Sequence, residues 1–134
     1  MITPNTCTLE WQKSKYDLEE RTAVFAERVR DFCLKLPRNT INAEYVSQLI
    51  RAGSSPGANY IEANENVGPG DLRYRTKVSR KEAKESMHFL GLVEVFDNKE
   101  MEIERNWLVD EAGQLRKIFS AMLKKLDDSR SNDK

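Results

Sequence analysis

The chain has one histidine, two cysteines, six glycines and four prolines in 134 residues, and its 22 basic residues are matched by 22 acidic ones. Each scarcity excludes something. One histidine cannot supply the paired Glu-x-x-His motifs of a di-iron bundle from a single chain. Cys7 and Cys33 fit neither a disulfide framework nor a zinc spacing, and Cys33 falls on an apolar helical face, where a buried free thiol is expected. A net charge of zero gives no global attraction to nucleic acid or acidic membranes, so any such role must rest on local charge. No run approaches the ~18 apolar residues of a membrane span, and "MITPNTCTLEWQKSK" lacks the apolar core of a signal peptide. The sequence thus reads as one soluble, cytoplasmic domain.

What is present is helical. Hydrophobic residues make up 39% and charged ones 33%, a balance that suits helices with one apolar and one solvated face. Residues 1–14 show no period and read as a loose arm. From Tyr16, the positions Leu18, Thr22, Phe25, Val29, Phe32 and Leu36 follow steps of four and three, and Pro37 stops the pattern. Asn42 is the expected N-cap of a second helix reaching about Asn66, with Val46, Leu49 or Ile50, Gly53, Gly57, Tyr60 or Ile61, and Asn64 facing inward. Within it, "LIRAGSSPGANYIEANE" (49–65) has the punctuation of a loop, yet the three-four rhythm keeps phase across it. One helix kinked at Pro56 is expected, a cost of about 3 kcal/mol where nothing supports it. The alternative is a break, with Ser55 as N-cap and Pro56 at the first helical position.

"VGPGD" at 67–71 is a break, and Asp71 is the expected cap of a third helix running to about Phe96. Its buried side is read as Leu72, Val78, Ala83, Met87, Leu90 and Val93 or Val95. "DNKEMEIERN" reads as a polar connection. The last helix, from about Trp107, carries Leu108, Ala112, Leu115, Phe119, Met122 and Leu126, and residues 128–134 should fray. The fold class expected is all-α: an antiparallel up-down four-helix bundle over residues 15–127.

Few constellations carry chemistry. The glycine-serine stretch fails as a phosphate loop, because no Gly-Lys-Ser/Thr follows and no strand precedes. Gly53 and Gly57, four apart with Ser54 and Ala58 beside them, instead permit close helix packing within the chain or against another subunit. Glu85 and His88 match Glu-x-x-His, but no second motif exists, so an interface histidine is the simpler reading and no metal or other cofactor is assigned. No local signature ties His88 to Cys33 as a nucleophile pair. Glu62 and Glu65 are a carboxylate pair of the kind common on helix surfaces. Glu62 with Asn59 suits a polar network with Arg51, Ser54 or a lysine of the third helix, which would favour one packing register.

The local charge signal is "DLRYRTKVSRKEAK" (71–84). Arg73, Lys77, Arg80 and Lys84 recur at steps of four, three and four on one face, with Lys81 adjacent, near the helix's own positive end. Carboxylates of neighbouring helices, Glu62 and Glu65 among them, would neutralise this face in a structural scaffold. RNA or DNA would neutralise it in a binding protein.

Three stretches, "YDLEERTAVFAERV", "LIRAGSSPGANYIEANE" and "RTKVSRKEAKESMHFLGLV", resemble in order and spacing the bacterial four-helix-bundle proteins found in intervening sequences of 23S ribosomal RNA genes. The accessory variability protein of diversity-generating retroelements is similar at greater distance. The resemblance covers roughly residues 16–126. It implies an up-down bundle assembled as a homopentamer with no established enzymatic activity, and for the retroelement relative, nucleic-acid and reverse-transcriptase binding through basic surfaces. The family's signature falls on Arg51, Ser54, Ser55, Gly57, Ala58, Asn59, Tyr60 and Glu62, and then on Lys81, Glu82, Ala83, Glu85 and Ser86. Pro56 stands where an aliphatic residue is common, His88 where an aromatic is usual, and the balanced charge departs from the basic relative. A non-enzymatic oligomeric interaction protein is therefore expected.

Overall fold

Four amphipathic stretches become four helices: α1 Leu18–Lys35, α2 Thr40–Glu65, α3 Pro69–Leu92 and α4 Lys99–Asn132. The computed structural model describes residues 18–65 and 68–132. The arm at 1–14, Cys7, and the helix limits expected at Tyr16 and Asn66 lie outside them. Each helix packs along two others, α1 on α2 and α4, and α3 on α2 and α4. Across the α2–α4 diagonal the Tyr60 and Phe119 rings meet in the core, with centroids 6.2 Å apart. Short turns make successive helices antiparallel, so the four stand at the corners of an up-down square. No described helix is long and apolar enough to cross a membrane.

The core follows the stripes on α1 and on α4 as far as Phe119; beyond it Leu123 is buried while Met122 and Leu126 are half-buried, and on α3 Leu72, Val78 and Met87 are half-buried. Thr22, Phe25, Val29 and Phe32 are buried on α1, Leu36 just past its end, and Leu108, Ala112, Leu115 and Phe119 on α4. On α2 the expected face is met at Leu49 and Gly53, which are buried, and at Val46 and Tyr60, which pack against the core. Ile50, Ile61 and Asn64 turn outward, whereas Ala52, Pro56 and Ala63 are buried. Close approach selects the small residues: a Cβ built on Gly53 would lie 3.1 Å from Val29 Cγ1, and one on Gly57 would lie 3.0 Å from Thr22 Oγ1. Both glycines thus serve the α1–α2 contact inside the protomer. The helix runs unbroken through Pro56, whose carbonyl accepts a 3.0 Å hydrogen bond from Ser79 Oγ of α3.

Helix starts differ from the sequence reading for identifiable reasons. Asn39, not Asn42, caps α2: its Oδ1 accepts from the Asn42 amide at 2.8 Å and its carbonyl from Ala43 at 2.9 Å. Asn42 is buried in the first turn and does something else. Its side chain donates to the carbonyls of Pro37 (2.9 Å) and Glu94 (3.0 Å) and accepts from the Glu94 amide (2.9 Å), tying the α1–α2 turn to the α3–α4 turn. α3 begins at Pro69, two residues before Asp71, because Gly68 takes a φ of 144 that favours glycine and Pro69 is preorganised for a first turn. It ends at Leu92, so Val93 and Val95 are buried from the turn.

α4 begins at Lys99, well before Trp107. Asn98 caps it, with its Oδ1 3.1 Å from the Met101 amide, and Glu100 and Glu102 occupy the positive first turn. The segment reads as polar because Met101 alone among its early residues is buried. Arg105 reaches back to the carbonyls of Leu90 (3.1 Å) and Val93, satisfying acceptors that the end of α3 leaves free. At its far end α4 stays helical through Asn132, across residues expected to fray.

Candidate nucleic-acid interface

α3 turns its small polar residues inward: Thr76, Ser79 and Ser86 are buried with Ala83 and Leu90. The Ser86 hydroxyl bonds the carbonyl of Glu82 at 2.9 Å, and Thr76 that of Leu72 at 2.7 Å, so neither burial leaves a donor unpaired. Facing solvent on the opposite side are Tyr74, Lys77, Lys81, Lys84 and His88.

The basic residues of α3 divide into two sets. Arg73 is bound to Asp127 of α4 at 2.8 Å, and this hydrogen bond with its charge raises the arginine's pKa above its ordinary value. Arg75 lies 2.9 Å from Asn59 Oδ1, 3.6 Å from Asp71 and 4.0 Å from Glu62. Lys81 is 3.8 Å from Glu85. Lys77, Arg80 and Lys84 have no carboxylate partner among the described residues. The cations read as one face in sequence thus divide: Arg73 and Lys81 have carboxylate partners, and Lys77, Arg80 and Lys84 have none among the described residues.

Helix packing then adds a cation from elsewhere. A groove of about 580 Å³ between α3 and α4 is lined by Arg80, Lys81, Lys84 and His88 from one helix and Arg116 and Ser120 from the other. Glu85 is the carboxylate lining it, and both its oxygens are engaged, one by Arg51 at 2.7 Å and the other by Lys81 at 3.8 Å. Arg80, Lys84 and Arg116 therefore share a low-lying surface without a neutralising partner among the described residues. Arg116 carried no signal of its own in the sequence. It sits on the polar face of α4, and only antiparallel packing brings it across from Arg80.

The polar residues of α2 form two clusters rather than one. Arg51 bridges Glu82 (2.9 Å) and Glu85 (2.7 Å), and the hydrogen bonds it donates, to Glu85 first and Glu82 second, hold its pKa above the usual value. Asn59 donates to the Ser55 carbonyl and hydroxyl, both at 3.0 Å, and accepts from Arg75. Ser54 bonds back to its own helix at Ile50 (2.9 Å), and Glu62 is exposed near Arg75. The α3 partner of this cluster is an arginine, not a lysine.

His88 is exposed and meets Phe89 edge-on, with ring centroids 5.1 Å apart. No group of three His, Cys, Asp or Glu side chains suited to a metal ion occurs among the described residues. Cys33 is half-buried between α1 and α2, and burial pushes its thiol up to about 11.

No family model matches the chain, and no curated protein is similar to it. Among solved structures, one of a protein of unknown function from the S23 ribosomal protein family of Bacteroides thetaiotaomicron superposes with a TM-score of 0.67. The two share 20% sequence identity, over 79% of this chain and 97% of that one. The likeness is one of fold. It extends over nearly the whole of the neighbour, so the four-helix arrangement is common to both.

Proposed function

We propose that this chain is a self-assembling, cytoplasmic four-helix bundle that binds the phosphate backbone of RNA or DNA along α3 and performs no chemistry of its own. The carrying observation is the α3–α4 groove, which Arg80 and Lys84 line from one helix and Arg116 from the other, and whose lining carboxylate is already engaged. Like charges so placed repel one another, and a polyanion relieves that cost while releasing counterions. The sequence resemblance to bacterial 23S intervening-sequence proteins supports the reading, as does a fold neighbour from the S23 family. A homopentamer, as that resemblance implies, would repeat the groove around a ring and multiply a modest patch into a multivalent surface.

Fluorescence anisotropy with labelled structured RNA and duplex DNA at low salt tests the proposal. The wild type should bind, and Arg80→Glu with Lys84→Glu should abolish binding. A wild type that fails to bind either polymer at low salt would refute it. A second reading, a scaffold without nucleic-acid affinity, draws on the pairing of Arg73 with Asp127 and of Lys81 with Glu85. It predicts that flat result.

A further inference from the structure

The opposite side of the bundle carries a groove of another kind. Between the end of α1 and the start of α2 lies a depression of about 420 Å³, lined by Cys33, Leu34, Val46 and Ile50 and edged by Arg30 and Arg38. Leu34 is 71% exposed. Arg30 pairs with its neighbour Asp31 at 3.0 Å, and Arg38 has no partner among the described residues.

The same end of the molecule also presents a protrusion. The α3–α4 turn holds Phe96 at φ 56, a conformation that bulky residues seldom adopt, with 62% of its surface exposed. Early in α4, Ile103 points away from the buried Met101 and Leu108 and is 69% exposed. Asp97 and Glu100 flank the pair without a cationic partner among the described residues. The Asn42–Glu94 hydrogen bonds fix both turns at one end of the bundle, and the helix contacts put α1–α2 and α3–α4 on opposite sides of the square.

We infer that Phe96 and Ile103 of one copy seat in the α1–α2 groove of the next, with Asp97 and Glu100 meeting Arg38 and Arg30. Charge complementarity selects a second copy as the occupant: an apolar knob with acidic flanks faces an apolar groove with a basic rim. Such a contact is heterologous. Repetition of such a contact closes a ring only where each copy is rotated relative to the last, and the homopentamer that the sequence resemblance implies requires that rotation. The inference rests on the self-assembly just proposed and names its surface; it is independent of nucleic-acid binding.

Sedimentation velocity on the wild type, Leu34→Glu, Ile103→Glu and an equimolar mixture of the two variants tests it. Both positions are exposed, and unchanged circular dichroism and melting will show that the variants fold. The wild type should be a closed oligomer and each variant a monomer. The mixture should yield a 1:1 dimer and nothing larger, because one intact knob and one intact groove remain. Arg38→Glu should weaken assembly, and adding Asp97→Arg in the same chain should restore it. A monomeric wild type would overturn self-assembly and this inference together. An oligomeric wild type whose size survives both variants, or variants that stay monomeric when mixed, would overturn the inference alone.

Discussion

Gly57 and Gly113 both sit inside helices, yet replacing each by alanine should move stability in opposite directions. At Gly57 the new Cβ would fall 3.0 Å from Thr22 Oγ1 and 3.2 Å from Thr22 Cβ, a buried, β-branched neighbour with no room to yield. At Gly113 the nearest atom is the flexible end of Met87 at 3.7 Å, an ordinary contact. Gly113→Ala should therefore gain about 1 kcal/mol from helix propensity, whereas Gly57→Ala should lose about 1–3 kcal/mol to overpacking, more than its propensity gain. Urea denaturation of the two variants checks both signs. Cys33 offers a chemical test at the same scale. With its thiol raised to about 11 by burial, it should resist iodoacetamide at pH 8 in a Cys7→Ser background, react as pH approaches 11, and react readily once unfolded. Asn42 shows what a sequence conceals. An asparagine after a helix-stopping proline looks like a cap, but its three hydrogen bonds run to turns that only the folded chain brings together.

Helices were legible as elements wherever the apolar period was strong, and less so where polar contacts set their limits. The stripes of α1 and α4 mark the core because burial follows their period. The start of α4 was hidden because its first turns bury little, and what holds them is the Asn98 cap and the Arg105 reach to α3. The α1–α4 seam rests on pairs that no pattern announces. Arg21 forms a bidentate bond with Glu111 at 2.7 and 2.9 Å and a third with Gln114 at 2.8 Å, with both charged side chains below 10% exposed. Arg28 grips Glu104 at 2.7 and 3.0 Å, partly exposed, with its guanidinium 3.5 Å from the centre of the Trp107 ring. Removing one buried partner strands a charge. Arg21→Met should cost about 3–5 kcal/mol, and Arg21→Met with Glu111→Leu should recover most of it. Glu104→Gln, at the exposed pair, should cost about 1 kcal/mol or less. Thermal melts of the four proteins would show the contrast, and equal losses at the two pairs would contradict it.

At the scale of the molecule, the all-α bundle was readable and the surface was readable only in part. A stripe of cations along α3 is a sequence pattern; which of them stay unneutralised is a packing outcome. Asp127 reaches Arg73 from the far end of α4, Glu85 is claimed by Arg51, and Arg116 arrives opposite Arg80, none of which spacing within α3 could reveal. This division makes the binding claim specific to particular residues. The decisive measurement is the salt dependence of RNA and DNA affinity for the wild type beside Arg73→Gln, Arg80→Gln and Lys84→Gln. The account predicts a linear fall of log affinity with log salt, whose slope shrinks by about 1 for Arg80→Gln and for Lys84→Gln and stays unchanged for Arg73→Gln. Binding that is independent of salt, or a slope altered by Arg73→Gln and untouched at Arg80 and Lys84, would contradict it.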